Sequence, residues 1–155
     1  MEYFLFVKII YLIGVLLLFH FFYLYVLSKQ TEKWLSVEGK IDKSKVRISY
    51  GDDSASYYTD IQYHYIVEGI TYVSKRIFYG DIIGKGFSRS VKKIVNKYTE
   101  GKIVLVYYNP KYPKKSVLET GVHAVIYRTL ITSILFQFIS IIMVIKEDFF
   151  ISLFK

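Results

Sequence analysis

Hydrophobic positions along this chain follow three different periods. Ile9 to Leu27 and Thr129 to Ile145 are continuous apolar runs without a charged residue. At about 1.5 Å of rise per residue each reaches roughly 26 to 28 Å as a helix, close to the roughly 30 Å of a bilayer's hydrocarbon core. Two transmembrane helices are therefore expected, over residues 9–27 and 124–145, with an N-terminal tail over residues 1–8 and an interfacial tail over residues 146–155. The latter carries Phe149, Phe150, Leu153 and Phe154. The first run exceeds a signal-peptide core and no small-x-small cleavage pattern follows it, so it reads as an uncleaved anchor.

Between these runs, residues 28–121 change to strand and amphipathic-helix periods and form one polar domain. A helical extension over residues 28–35 carries the chain out of the first span. Val37, Gly39 and Ile41, then Val46, Ile48 and Tyr50, predict a strand pair or one long bent strand. A turn is expected at Gly51 to Ser56. Tyr57, Thr59, Ile61, Tyr63, Tyr65 and Val67 then alternate with polar neighbours, and Glu68-Gly69 joins them to Ile70, Tyr72 and Ser74 as a hairpin. After a glycine-containing loop, Ser88 or Ser90 caps a helix with Val91, Ile94, Val95 and Tyr98 on its apolar face and Arg89, Lys92, Lys93 and Lys97 on its outer face. Gly101 ends it. Ile103 to Tyr108 has the continuous apolar character of a central strand buried on both faces, stopped by Asn109-Pro110. Lys111 to Lys115 reads as a basic loop and Ser116 to Glu119 as a last short strand. The fold class expected is a membrane protein of mixed α+β type, with two transmembrane helices flanking a small, mainly antiparallel β-domain. Five or six strands in a sandwich or barrel would carry the one amphipathic helix.

Charge adds an orientation. Of the chain's 21 Lys and Arg, 17 lie in residues 28–121 against 10 Asp and Glu, so nearly all of the net charge of +8 sits there. By the positive-inside rule the domain is expected on the cytoplasmic side, with both termini outside and the bacterial inner membrane as the location. The chain has no cysteine, which excludes disulfides and thiolate chemistry. Tyrosine is abundant, with 16 in all, and suits half-buried strand surfaces with hydroxyls at the rim.

The order of these features resembles a widespread bacterial family of membrane-anchored domains of unknown function. The resemblance rests on Trp34, Val37, Gly39, Ile41, Tyr63, Tyr65, Val67, Gly69, Tyr98 and Gly101, followed by Tyr108, Asn109, Pro110, Pro113, Ser116, Leu118 and Glu119. The last seven form a Tyr-Asn-Pro-x-x-Pro-x-x-Ser-x-Leu-Glu block before the second span. Thr99 stands where the family often has proline. The resemblance implies fold and topology and carries over no catalytic residue.

Candidate chemistry is sparse. His64 is the single histidine of residues 28–121, too few ligands for a metal site and without a G-x-S-x-G elbow for a serine hydrolase. Asp52 and Asp53 read as solvated turn formers. Gly84, Lys85, Gly86 and Ser88 supply the ingredients of an anion loop but miss the phosphate-loop spacing, so they read as a connector and an ordinary cap. No catalytic, cofactor or metal residue is expected, and no enzyme. A nucleic-acid role is set aside because Tyr63 and Tyr65 fall on the strand face that should be buried.

The candidate contacts for a protein partner or anionic lipid are Arg89, Lys92, Lys93 and Lys97 on the helix, with Lys111, Lys114 and Lys115 in the basic loop. Within the membrane, His20 and Gln137 lie at similar depth and form a candidate hydrogen-bonded pair for helix pairing or a homo-oligomer. Arg128 can snorkel to the interface. The function expected is therefore a non-enzymatic two-span protein presenting a tyrosine-rich basic β-domain for a protein or lipid partner. The alternative is an immunity protein guarding the membrane against a pore-forming or membrane-targeted toxin.

Overall fold

A computed structural model of the chain describes residues 2–50, 55–81, 88–146 and 152. Its elements, in order, are α1 (Glu2–Thr31), β1 (Leu35–Tyr50), β2 (Ala55–Val67), β3 (Ile70–Ser74), α2 (Ser88–Lys97), β4 (Ile103–Asn109), β5 (Tyr112–Val117) and α3 (Ala124–Ile145). The chain divides into two compact units, Met1–Val26 with His123–Lys155, and Leu27–Val122.

In the first unit, α1 and α3 are long and apolar enough to cross a membrane. Only 17% of each helix's most apolar window is buried, whereas the core helix of a water-soluble fold would be mostly covered. Residues expected as an N-terminal tail are already helical from Glu2. The expected tail after residue 146 falls almost wholly outside the described residues. Buried positions recur every seven residues, at Val7, Gly14 and Phe21 on α1 and at Ile126, Ser133 and Ser140 on α3. That spacing keeps one stripe of each helix turned toward the other in a left-handed pair. Where the small residues meet, Ser133 Oγ donates to the Gly14 carbonyl at 2.8 Å. Toward one end the Tyr3 hydroxyl donates to the Met143 carbonyl, and toward the other the Phe21 and Tyr127 rings lie 6.0 Å apart.

The second unit is one five-stranded sheet in the order β3-β2-β1-β4-β5, antiparallel at every pairing. β1 is the single bent strand, not a strand pair. Its register with β2 shifts between Ile41 and Lys43, and this bulge turns the odd-numbered inward set (Val37, Gly39, Ile41) into an even-numbered one (Ser44, Val46). The hairpin between β2 and β3 turns on Glu68 and Gly69, both with positive φ (51° and 78°), as a two-residue turn of the primed type requires.

β4 departs from the expectation of burial on both faces: Val106 is fully buried while Ile103 and Leu105 are exposed. The sheet is a single layer, so the outer side of β4 faces solvent and only the inner side meets the core. β5 begins at Tyr112, earlier than the expected Ser116. Asn109 Oδ1 accepts the N–H groups of Lys111 (2.8 Å) and Tyr112 (3.2 Å), so residues 109–112 close a tight hairpin instead of opening a basic loop. Pro113 is tolerated in β5 because β5 is an edge strand.

Curl brings the two edges of the sheet together. β3 and β5 touch, and the Ile77 carbonyl accepts the N–H groups of both Leu118 (2.9 Å) and Glu119 (2.8 Å). The core enclosed by the curl holds Ile41, Ile61, Tyr63, Tyr65, Val67, Ile77, Tyr98, Val106 and Leu118. α2 packs on β1 and β2, with Ser44 Oγ bonded to the Val95 carbonyl at 3.3 Å.

Candidate functional site

The tyrosines on the inner face of β2 organise the middle of the second unit. Tyr63 is fully buried, and its hydroxyl donates to the Arg76 carbonyl at 2.8 Å. With the phenolic proton committed there, Ser116 Oγ, 3.2 Å away, is the donor to the Tyr63 oxygen. Burial pushes the Tyr63 phenol up to about 12, and burial likewise raises Tyr65, whose hydroxyl donates to the Pro113 carbonyl. The rings of Tyr65 and Tyr72 stack at 5.7 Å, and those of Tyr65 and Tyr108 at 6.4 Å. These side chains cross from β2 to β5 and fasten the curl.

The seven candidate cations are all exposed, and they divide into two sets. On α2, Arg89, Lys92, Lys93 and Asn96 line one open depression. Lys97 is engaged differently: its ammonium donates to Glu119 Oε1 at 2.8 Å and lies 5.3 Å from the Tyr98 ring centre. The Tyr98 hydroxyl donates to the same carboxylate oxygen at 2.6 Å. Burial, and then the neighbouring Glu119 carboxylate, hold the Tyr98 phenol far above its ordinary range. Lys111, Lys114 and Lys115 belong to the hairpin of β4 and β5, with Lys115 5.2 Å from the Tyr112 ring centre. That hairpin lies beside the start of β1, since Leu35 pairs with Tyr108.

His20 and Gln137 do not form the expected pair. Gln137 lies beside Gly14 on the helix contact, its amide 3.5 Å from Ser133 Oγ. His20 is exposed on the outer face of α1 with its ring 6.5 Å from that of Tyr23. Their depths differ, because Gln137 sits level with Gly14, six residues and so about 9 Å along α1 from His20, and His20 stands one residue from Phe21, about 100° around the helix from the contact stripe. His64 Nδ1 lies 2.5 Å from Asp42 Oδ1, on the bulge of β1 at the outer surface. Asp52, Asp53 and the segment Gly84 to Gly86 lie outside the described residues, as does the Ser88 side chain.

One residue set that the sequence did not bring together is the wall formed by Ser74, Lys75, Arg76 and Asp81 against Ser116 and the candidate cation Lys114 of β5. Asp81 Oδ2 accepts the N–H groups of Ile77 (2.6 Å) and Phe78 (3.4 Å), closing the turn that leads out of β3. Burial outweighs those bonds and pushes its carboxyl up to about 6. The folded state therefore holds this proton more tightly than the unfolded chain, whose value is near 3.8. Its contribution is full below pH 3.8 and is lost as pH rises through 6, amounting to on the order of 3 kcal/mol. Asp81→Asn, which keeps the acceptor, should raise the thermal midpoint at pH 7.5 and leave it near wild type at pH 4. Equal shifts at both pH values would show that the Asp81 charge is not responsible.

A match to the domain of unknown function DUF3592 covers residues 37–123, more than half of the chain. The chain belongs to the DUF3592 family. Its DUF3592 region begins on the inner face of β1 and runs through β5 to the residue before α3. Comparison with curated proteins and with solved structures finds no match. Within this region the block from Tyr108 to Glu119 has structural roles at five of its residues. Asn109 forms the hairpin, the Pro113 carbonyl receives Tyr65, Ser116 meets Tyr63, Leu118 enters the core and Glu119 ties down α2.

Proposed function

We propose that this DUF3592 protein is a non-enzymatic, two-span membrane protein that holds its β-domain at the cytoplasmic surface of the membrane and uses α2 to bind an acidic protein partner. The observation that carries this reading is the placement of Arg89, Lys92 and Lys93. All three are exposed on one face of α2, and among the described residues none has a carboxylate within 4.0 Å. Elsewhere in the unit surface cations do find partners, as Lys43 does with Asp60 at 2.6 Å and Lys97 with Glu119 at 2.8 Å. A face of unpaired cations set in a depression favours an anionic surface, steering it in and fixing its register.

Support for tethering comes from the two chain exits of the domain, which are bonded together: Thr31 Oγ1 accepts the Gly121 N–H at 2.9 Å. The test is recovery of bound chains from native membranes with the wild type and with Arg89→Ala, Lys92→Ala and Lys93→Ala combined. An acidic chain recovered with the wild type and lost with the variant is expected. Undiminished recovery would remove α2 as the contact. If vesicle co-sedimentation falls instead, by roughly fivefold per charge at low salt, the partner is anionic lipid.

A further inference from the structure

A polar cavity of about 300 Å³ opens between the end of β3 and strand β5, lined by Ser74, Lys75, Arg76, Asp81, Lys114 and Ser116. Hydroxyls make its floor. Ser116 is 1% exposed and bonded to the buried Tyr63 hydroxyl, and Ser74 is the β3 residue paired with Tyr63 in the sheet. Cations make its rim. Lys75, Arg76 and Lys114 are exposed, and among the described residues none has a carboxylate within 4.0 Å. Arg76 is held in place, its guanidinium 4.6 Å from the Tyr79 ring centre, while Tyr79 packs edge-on against Trp34 at 6.0 Å. The one carboxylate in the wall, Asp81, turns Oδ2 onto the backbone amides of Ile77 and Phe78.

Three positive groups against one negative group, above a hydroxyl floor, make a donor-rich and charge-unbalanced pocket. That composition matches a phosphate group, whose oxygens accept from ammonium, guanidinium and hydroxyl donors together. The volume lies at the small end of ligand pockets, enough for one phosphate with a short polar substituent. We propose that this cavity binds a phosphate-bearing anion, with Lys75, Arg76 and Lys114 meeting its charge beside the Ser74 hydroxyl. Two sources offer that chemistry, a free phosphate ester and a lipid headgroup. The cavity wall continues from Ser116 through Leu118 and Glu119 to Gly121, bonded to Thr31, so it stands beside the chain exits of the domain. The proposal is independent of α2, which contributes no residue to the cavity.

Calorimetric titration of the full chain in maltoside micelles separates the two sources. The probes are sn-glycerol 3-phosphate and dihexanoyl phosphatidylglycerol. Binding of the soluble ester identifies a free-phosphate site, and binding of the short-chain lipid alone identifies a headgroup site. In either case Lys75→Ala and Lys114→Ala should each weaken binding about fivefold. Asp81→Asn should strengthen it several-fold at pH 7.5, by removing a charge that opposes the anion. At pH 5, where Asp81 already holds its proton, the same variant should match the wild type. Lys92→Ala, outside the cavity, should leave the Kd unchanged and so separates failure here from failure of the α2 reading. No binding of either probe, or a Kd indifferent to both lysine changes in variants with wild-type circular dichroism, overturns the proposal.

Discussion

Gly39→Ala is expected to lower the thermal midpoint of the β-domain by roughly 12 to 24 °C while leaving α1 and α3 helical. Gly39 lies in the central strand of the sheet, opposite Tyr65 of β2 and Val104 of β4. A Cβ built there would stand 2.6 Å from the His64 carbonyl oxygen, 2.6 Å from Val106 Cγ2 and 3.2 Å from Tyr65 Cβ. The first of these neighbours is backbone and cannot rotate away. Relief requires β1 and β2 to part just where the curl passes over the core, so overpacking should reach or exceed the usual 1 to 3 kcal/mol, about 3 kcal/mol or more. A domain of this size has only about 5 to 15 kcal/mol in total. The readout is thermal unfolding of the full chain in detergent, followed by the emission of its single tryptophan, Trp34, and by far-ultraviolet circular dichroism. A variant melting within a few degrees of the wild type would contradict the close approach of the two strands.

Gly14→Leu should separate α1 from α3. A Cβ at Gly14 would meet Gln137 Cγ at 3.0 Å, with Phe136 Cβ and the Ser133 carbonyl oxygen both at 3.3 Å. Leucine adds three further carbons and displaces the Ser133 hydroxyl from the Gly14 carbonyl. Close approach through small residues and one interhelical hydrogen bond of about 0.6 to 2 kcal/mol are what hold such a pair in lipid, so both terms are lost together. Because the natural chain has no cysteine, Val7→Cys with Met143→Cys, two positions in one packed cluster, gives a clean thiol cross-linking reporter. Cross-linking should be efficient in the otherwise natural chain and fall several-fold with Gly14→Leu. Gly14→Ala should fall in between, since its three neighbours, the Ser133 backbone carbonyl among them, must each give by only a few tenths of an ångström. Equal yields in all three would show that the helices do not meet at Gly14.

Much of the architecture was legible from periodicity alone. The two apolar runs, the alternation from Tyr57 to Val67, the Glu68-Gly69 turn and the amphipathic face of α2 are local patterns, and each element formed where its period placed it. The parity change along β1 was also visible, but whether it meant two strands or one with a bulge depended on what lay opposite, and β2 runs continuously past it. The misreading of β4 has a similar origin. An apolar run shows that a strand avoids water on average, yet here the outer residues Ile103 and Leu105 remain exposed because no second layer covers them. Counting from the ends of the apolar runs puts His20 and Gln137 at one depth; the small-residue stripe instead sets Gln137 level with Gly14 and turns His20 away, so both the register of the two helices and their rotation were decided by packing.

The sequence by itself determined the two apolar helices, the hairpin of β2 and β3 and the basic face of α2, because these follow from 3.6-residue and two-residue periods written into neighbouring positions. Only the tertiary structure decided which distant residues share a surface. Curl of the single sheet brings Ser74, Lys75, Arg76 and Asp81 beside Lys114 and Ser116, more than thirty residues further along. The physical reason is that hydroxyl bridges from Tyr63 and Tyr65 to the β5 side, and the Ile77 carbonyl bonded to Leu118 and Glu119, draw the sheet's edges together. No local pattern in either segment records that meeting.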